Sequence, residues 1–366
     1  MSSRVKPLFY FKKSGISELM QKTIIKINFM ELFKNFLKPT NEPLKSAHQA
    51  EDFEGHPIEL KNAPAEREGS LEEIKRNYEP AIALRERQYS QDVLAKPEMK
   101  NRHLSLEIHN EIVLGYTHKL IKAHNLSEQD KAAIYLAIIF HDSGKLADGL
   151  AEYELDHHLK GREYAEKLLD ELPPIEQEDK VIEITPELKE KVLQAIMRHM
   201  NHPFLVGLNK GKRFLEPEND IDKIVFDADM MANVGFKNVY FRLTSEKYLN
   251  EDIIEASKKN VLALEEAFNN VMNGVRVLDK AVLSVPAKAQ IKQLIGAAEE
   301  IFSYLKANRV FQKIQDKYSE NNEFNSRAIS QKEGGVLALK EELNSAIKKA
   351  AQALNIDEKI AKNFIM

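Results

Sequence analysis

Apolar and polar positions follow one another along most of this chain with the period of a helix rather than a strand. From about residue 71 to 274, apolar residues recur every three or four positions, which puts them on one side of a 3.6-residue helix. Leu104, Ile108, Ile112, Tyr116 and Leu120 form one such stripe. "LSEQDKAAIYLAIIFHD" (126–142) is apolar all round in its middle, the mark of a central buried helix. Ser127 with Asp130 three residues on opens it like a capping box, and Gly144 is its expected stop. A further helix from about His157 to Glu171 is halted by Pro173-Pro174. Thr185 and Pro186 begin "TPELKEKVLQAIMRHM" as cap and first-turn residue. In "DIDKIVFDADMMANVG" (220–235), positions 221, 224, 225, 228 and 232 are apolar and Gly235 is the expected stop.

Beyond Asp252 the pattern predicts long helices over 252–273, ended by Gly274, and over 286–318, opened by Pro286. A polar break (319–335) precedes a helical pair near 336–353 and 357–365. Strand signals are sparse, and "KVIEIT" (180–185) is the best of them. The expected fold is all-α.

Composition adds a division of the chain. Residues 1–45 hold nine Lys/Arg against three Asp/Glu, a net +6, with Phe9, Tyr10, Phe11, Phe29, Phe33 and Phe36 interleaved. Within them "KTIIKINFMELFKNFLKP" (22–39) reads as a short amphipathic helix, fit to lie on an anionic membrane, to dock on a partner protein or to pack on its own domain. Residues 40–70 are polar, with several Pro and Gly, and read as linker or irregular coil. The expected organisation is a basic N-terminal segment and linker (1–70), a helical catalytic domain (71–275) and a helical C-terminal extension (276–366) whose helices are candidates for oligomer or partner contacts.

A net charge of −4 gives no field that would gather nucleic acid, so double-stranded nucleic acid is not an expected partner. The absence of Cys excludes disulfides, thiolate metal sites and Cys nucleophiles. No run approaches the ~20 apolar residues a bilayer span needs, and the N-terminus lacks the apolar segment of a secretory signal. A soluble, cytoplasmic protein is expected.

Nine of the eleven histidines lie between positions 103 and 202. His109 falls beside an apolar stripe, and His141-Asp142 end the buried helix. Asp229 follows Val225 by one turn, on or next to the apolar face of its helix. Two imidazoles and two carboxylates brought together make an N/O set that suits Mn, Fe, Co, Ni or Zn better than Ca. A different reading of His141-Asp142 is that they cap the buried helix and solvate its last carbonyls.

The series His109, His141-Asp142, Asp229 resembles the H…HD…D signature of the HD-domain metal-dependent phosphohydrolases. The likeness extends to "HNEIVLGYTHKLIKAHNL", to "AIIFHDSGK" against the family's "ALLHDIGK", and to "HHLKGREYAEKLL". It continues in "AIMRHM" and in "FDADMMANVG" against "DADxLxxxG", over about residues 100–245 and in the family's order. The resemblance implies an HD-like helical core in which His109, His141, Asp142 and Asp229 hold one divalent cation, with Mg also admitted. His157 and His199 match positions that hold a second cation in binuclear members, with Asp142 bridging. It implies hydrolysis of a phosphate ester or anhydride, of a nucleotide on the strength of "DADMMANVGFKNVYFR", by water activated at the metal. Lys145 is the candidate catalytic and phosphate-binding cation, and Arg198, Lys160 and Arg162 are weaker candidates for binding substrate. "HDSGKLADGLAEYE" departs from "HDxxED", which disfavours a nucleotidase or alarmone hydrolase, and "MNHP" after His199 disfavours a cyclic-di-GMP phosphodiesterase. Two rival readings stand beside the enzyme: a regulatory or binding protein on the same fold with little turnover, and an interaction protein acting through its terminal segments.

Overall fold

The computed structural model describes residues 70–96, 100–146, 155–177, 180–244 and 246–365. The helix expected at 22–39 and, apart from Ser70, the irregular stretch 40–70 lie outside them. The described residues form sixteen α-helices and one two-stranded hairpin, so the class is all-α.

Two helices on the N-terminal side, α1 (Leu71–Asn77) and α2 (Glu79–Ala95), lead into the long α3 (Lys100–Lys122) and then α4 (Glu128–Phe140). Helix α4 begins where Ser127 Oγ accepts the Asp130 amide at 3.1 Å. Every residue from Ala132 to Phe140 is buried. No residue of that stretch can face water, so other elements must surround it, and each large aliphatic chain hidden there contributes roughly 1.5–3 kcal/mol. The neighbours are α2, α3, α5 (His157–Glu171), α6 (Pro186–Arg198) and α8 (Asp220–Ala232). Between α6 and α8 lies the short α7 (Pro203–Leu208). Thr185 and Asn219 cap α6 and α8 through their side-chain oxygens. All five apolar positions expected on α8 are buried.

The structure departs from the sequence reading at several places. Helix α4 stops at Phe140, and residues 141–146 form a turn rather than a last helical turn reaching Gly144. On α3 the buried stripe is rotated: Leu106, Val113, Tyr116 and Leu120 are buried, while Ile108 and Ile112 are half-buried. "KVIEIT" supplies only β2 (Lys180–Ile182), paired antiparallel with β1 (Ile175–Gln177), which carried no strand signal. Helix α8 ends at Ala232, short of Gly235.

After α9 (Lys237–Thr244), the helix expected at 252–273 is two: α10 (Glu246–Lys259) and α11 (Ala263–Val275). They separate at Asn260, whose φ of 53° is the left-handed conformation that ends helices, and Gly274 lies inside α11. The helix expected at 286–318 likewise divides into α12 (Val285–Ala307) and α13 (Val310–Tyr318) at left-handed Arg309. The polar break hides α14 (Ser326–Gln331), and α15 (Gly335–Ala353) and α16 (Glu358–Ala361) complete the chain with a 3-10 turn at 362–364.

These C-terminal helices share their apolar core with the N-terminal ones, in a cluster that extends from Tyr78 to Phe364. Two joints tie them to α8. Asp227 accepts the amides of Leu283 (2.7 Å) and Ser284 (2.8 Å), closing the start of α12. Gly235 lets the end of the chain approach: a Cβ there would sit 2.3 Å from the Asn363 carbonyl oxygen. Next to it the Phe236 ring packs between Phe268 (5.1 Å) and Phe364 (5.6 Å). Among the described residues, no helix is long and apolar enough to cross a membrane.

Candidate metal centre

Where α4 gives out, its last carbonyls lack partners within the helix. His141, the residue after α4, turns back so that its Nδ1 meets the Ile138 carbonyl at 2.8 Å. His199 repeats the arrangement after α6, its Nδ1 on the Ile196 carbonyl at 2.5 Å. In both rings Nδ1–H donates to the carbonyl, which leaves the Nε2 lone pair directed away from the helix. Capping is therefore real at His141, and it orients the ring without using up its other nitrogen.

Two glycines bring these helix ends together with α5. A Cβ on Gly144 would lie 2.5 Å from the His157 carbonyl oxygen and 2.6 Å from the Gly161 nitrogen. One on Gly161 would lie 2.9 Å from the His141 carbonyl oxygen. Bare backbone at both positions allows the turn 141–146 to cross the first turn of α5, which sets His157 beside Asp142.

The fully buried Asp142 is the hub. Its Oδ2 lies 3.4 Å from His141 Nε2 and 3.5 Å from His109 Nε2. Its Oδ1 lies 3.6 Å from His157 Nε2 and 4.0 Å from His199 Nε2. Each oxygen thus faces a different pair of imidazoles. Asp229, in the last turn of α8, completes the first group, with Oδ1 at 2.9 Å from His109 Nε2 and 3.8 Å from His141 Nε2. His157 and His199 face each other at 3.0 Å through their Nε2 atoms. The residues His109, His141, Asp142, Asp229, His157 and His199, scattered along the sequence, converge in space.

Charge explains what such a cluster asks for. His141 Nε2 and Asp142 Oδ1 are buried with no hydrogen-bond partner among the described residues, while His109 Nε2 and Asp229 Oδ1, also buried, face each other at 2.9 Å. Orphaned buried polar atoms are costly, about 1–3 kcal/mol each, and rare without a reason. A tetrahedral ion with 2.0–2.2 Å bonds spaces its ligands by about 3.3–3.6 Å, close to the separations around Asp142. Burial lowers the pKa of His109 to about 4, aided by the charge of Lys237 and opposed by the two carboxylates. Burial and neighbouring His141 lower His199 to about 4 as well. For Asp142, burial alone would raise the pKa, but His141, Lys145, His109 and His157 outweigh it and hold the carboxyl well below its usual range. Asp229 is depressed in the same way, chiefly by His109 against the cost of burial. At neutral pH these two imidazoles are neutral and both carboxyls ionised, which is the state a cation requires. Two buried groups, His109–His141–Asp142 and Asp142–His157–His199, could each hold a metal ion.

The candidate phosphate-binding residues are placed unequally. Lys145 is in the cluster, its Nζ 2.8 Å from Asp142 Oδ2. Arg198 is engaged elsewhere, by the Glu216 carbonyl (2.6 Å), Glu218 (2.7 Å) and Asp222 (3.6 Å) at the approach to α8. Lys160 pairs with Glu163 at 3.0 Å on the exposed side of α5, and Arg162 is half-buried on the same helix. None of these three joins the cluster. His118 and His124 bind the Tyr135 hydroxyl and the Leu120 carbonyl. His103 lies with Glu86 and Glu107 in a separate half-buried group that Arg85 neutralises through Glu86.

One residue beside the site was not among the candidates. Lys237, the first residue of α9, is buried, and its Nζ meets His109 Nδ1. Burial lowers its pKa to about 7, against the pull of Asp229. It falls inside the run "DADMMANVGFKNVYFR", where nothing set it apart from its neighbours.

Compared with known proteins, the chain matches no family model, no curated protein and no solved structure. What stands from its own residues is a helical fold with a buried His/Asp cluster compatible with an HD motif.

Proposed function

We propose that this protein is a metal-dependent phosphohydrolase of the HD type, cleaving a phosphate ester or anhydride of a small molecule, with a nucleotide as the substrate class. The observation that carries the reading is Asp142: a buried carboxylate whose two oxygens face two separate imidazole pairs, while its own Oδ1 and the His141 Nε2 beside it lack hydrogen-bond partners among the described residues. A divalent cation held there by these residues would supply Lewis acidity at a phosphoryl oxygen and lower the pKa of bound water to about 7.

The chain's own residues do the rest. His141 and His199, locked by the carbonyls of Ile138 and Ile196, aim their Nε2 atoms inward. Asp142 and Asp229 provide negative charge that stays ionised well into acid. Lys145, one-fifth exposed at its side chain and resting on Asp142, is the cation best placed to turn toward a substrate phosphate.

The test is elemental analysis of the purified protein with a Mn-supplemented phosphatase and phosphodiesterase panel, on wild type and Asp142→Ala. Bound transition metal and turnover are expected in the wild type, both sharply reduced in the variant. Turnover unchanged in Asp142→Ala would remove that carboxylate from the reaction. Bound metal without turnover on any phosphate substrate would favour a binding protein on the same fold.

A further inference from the structure

We infer that Glu86, His103 and Glu107 form a separate metal site, one that takes a late first-row divalent cation such as Zn2+ and clips α2 to α3. The site shares no residue with the cluster around Asp142, so it stands or falls apart from the phosphohydrolase reading.

The three donors come from two helices. His103 and Glu107 are four residues apart on α3, which sets them one above the other on one face. Glu86 reaches them from α2. His103 Nε2 lies 3.2 Å from Glu86 Oε2 and 3.3 Å from Glu107 Oε1, and one ligand atom from each residue falls within 4.8 Å of the others. A four-coordinate ion with bonds of about 2.0–2.2 Å spaces its ligands by about 3.3–3.6 Å, so the side chains need move little. One imidazole nitrogen with two carboxylate oxygens suits Zn2+, with a fourth position left for water. The group is half-buried, so that position can reach solvent.

Contacts outside the group hold two of its members and leave their ligating atoms turned inward. Glu86 Oε1 accepts Arg85 Nε (2.9 Å) and Nη2 (2.6 Å), which leaves Oε2 to the site. Arg85 is itself buried, its guanidinium 5.8 Å from the centre of the Tyr89 ring. The His103 ring stands edge-on to the same Tyr89 at 5.4 Å. One fully buried ring thus backs both the imidazole and the arginine that orients the carboxylate, as outer groups do around metal ligands. Burial pushes the Glu107 carboxyl up; His103 opposes this, while the charge of Glu86 and a hydrogen bond between the two carboxyls add to it. Carboxyls so close hold a proton or a cation between them. A cation would displace those protons into solvent and leave the His103 proton on Nδ1.

The clip has a place in the fold. Tyr89 packs with Leu106 and Leu146 in a small buried group of its own, and Leu146 directly follows Lys145. Joining α2 to α3 behind Tyr89 therefore stiffens the wall beside the 141–146 turn.

The test strips the full chain with chelator, records metal-free melting temperatures, and titrates Zn2+ by equilibrium dialysis on wild type, His103→Gln and Glu107→Gln. Each variant is expected to take up one equivalent fewer than wild type at an unchanged metal-free melting temperature. Zn2+ is also expected to shield His103 from diethyl pyrocarbonate, read by peptide mass spectrometry, in wild type and equally in Asp142→Ala. Equal uptake by all three proteins overturns the inference and leaves His103 with ordinary ion pairs. Loss in one variant alone also overturns it, since the site needs both residues. If a variant melts lower, shielding in wild type decides, and His103 modified equally fast with and without Zn2+ refutes the site. A wild type that shields His103 yet takes up no metal at the Asp142 cluster would sink the phosphohydrolase reading and leave this one standing.

Discussion

His109 and His199 determine how the metal-free protein meets acid. Both have folded pKa values near 4 against 6.5 when unburied. As pH falls through 6.5, the unfolded chain takes up these two protons while the folded chain does not, so stability falls with pH until about pH 4 and then stops responding to them. A shift of this size is worth about 3 kcal/mol per imidazole over the whole window. The melting temperature of metal-free protein is expected to drop between pH 6.5 and 4.5, and to drop less in His199→Gln. Identical pH profiles for the two proteins would show that His199 is not held neutral by its surroundings. Two positions from Asp229, the proposed ligand, Asp227 has different work. Asp227→Ala should cost about 1–3 kcal/mol by leaving the Leu283 and Ser284 amides without an acceptor, yet leave metal content intact. Loss of metal from that variant, measured by elemental analysis, would contradict the division of labour along α8.

At the scale of elements, the crossing of the 141–146 turn over α5 is what joins the two imidazole pairs. Gly161→Ala presses on the His141 carbonyl and Gly144→Ala on two backbone atoms at once. Overpacking of this kind costs about 1–3 kcal/mol, and Gly144→Ala should sit at the upper end because backbone cannot step aside as a side chain can. Denaturant midpoints would rank the two; equal, negligible shifts would mean that the crossing is loose. Much at this scale was legible beforehand. Ser127, Thr185-Pro186 and Pro173-Pro174 carry their own capping and stopping chemistry, and α5 keeps the predicted bounds. The breaks at Asn260 and Arg309 were not legible, because a left-handed residue other than Gly is selected by how the flanking helices pack. The rotated stripe on α3 has a similar cause: α8 approaches α3 on the His109 side, and burial follows the neighbour rather than the count of apolar residues.

For the molecule as a whole, the C-terminal helices are part of the same apolar core as α4. Phe364 is fully buried against Phe236, so Phe364→Ala is expected to cost about 3–5 kcal/mol, read as a lowered denaturation midpoint. A change below about 1 kcal/mol would show that the chain end only rests on the surface. The residues of the buried His/Asp cluster were recognisable from the sequence because they sit in short motifs on separate helices. Lys237 was not, since its contact with His109 arises only once α3 and α9 lie side by side.

A carboxylate with one oxygen turned to each imidazole pair cannot respond to them separately. Whatever settles against one oxygen fixes the plane and charge of the other, so the two halves would fill with a mutual bias, equal in both directions. A titration of this protein with a divalent cation should then depart from the curve of two independent sites, and Asp142 is where the departure begins.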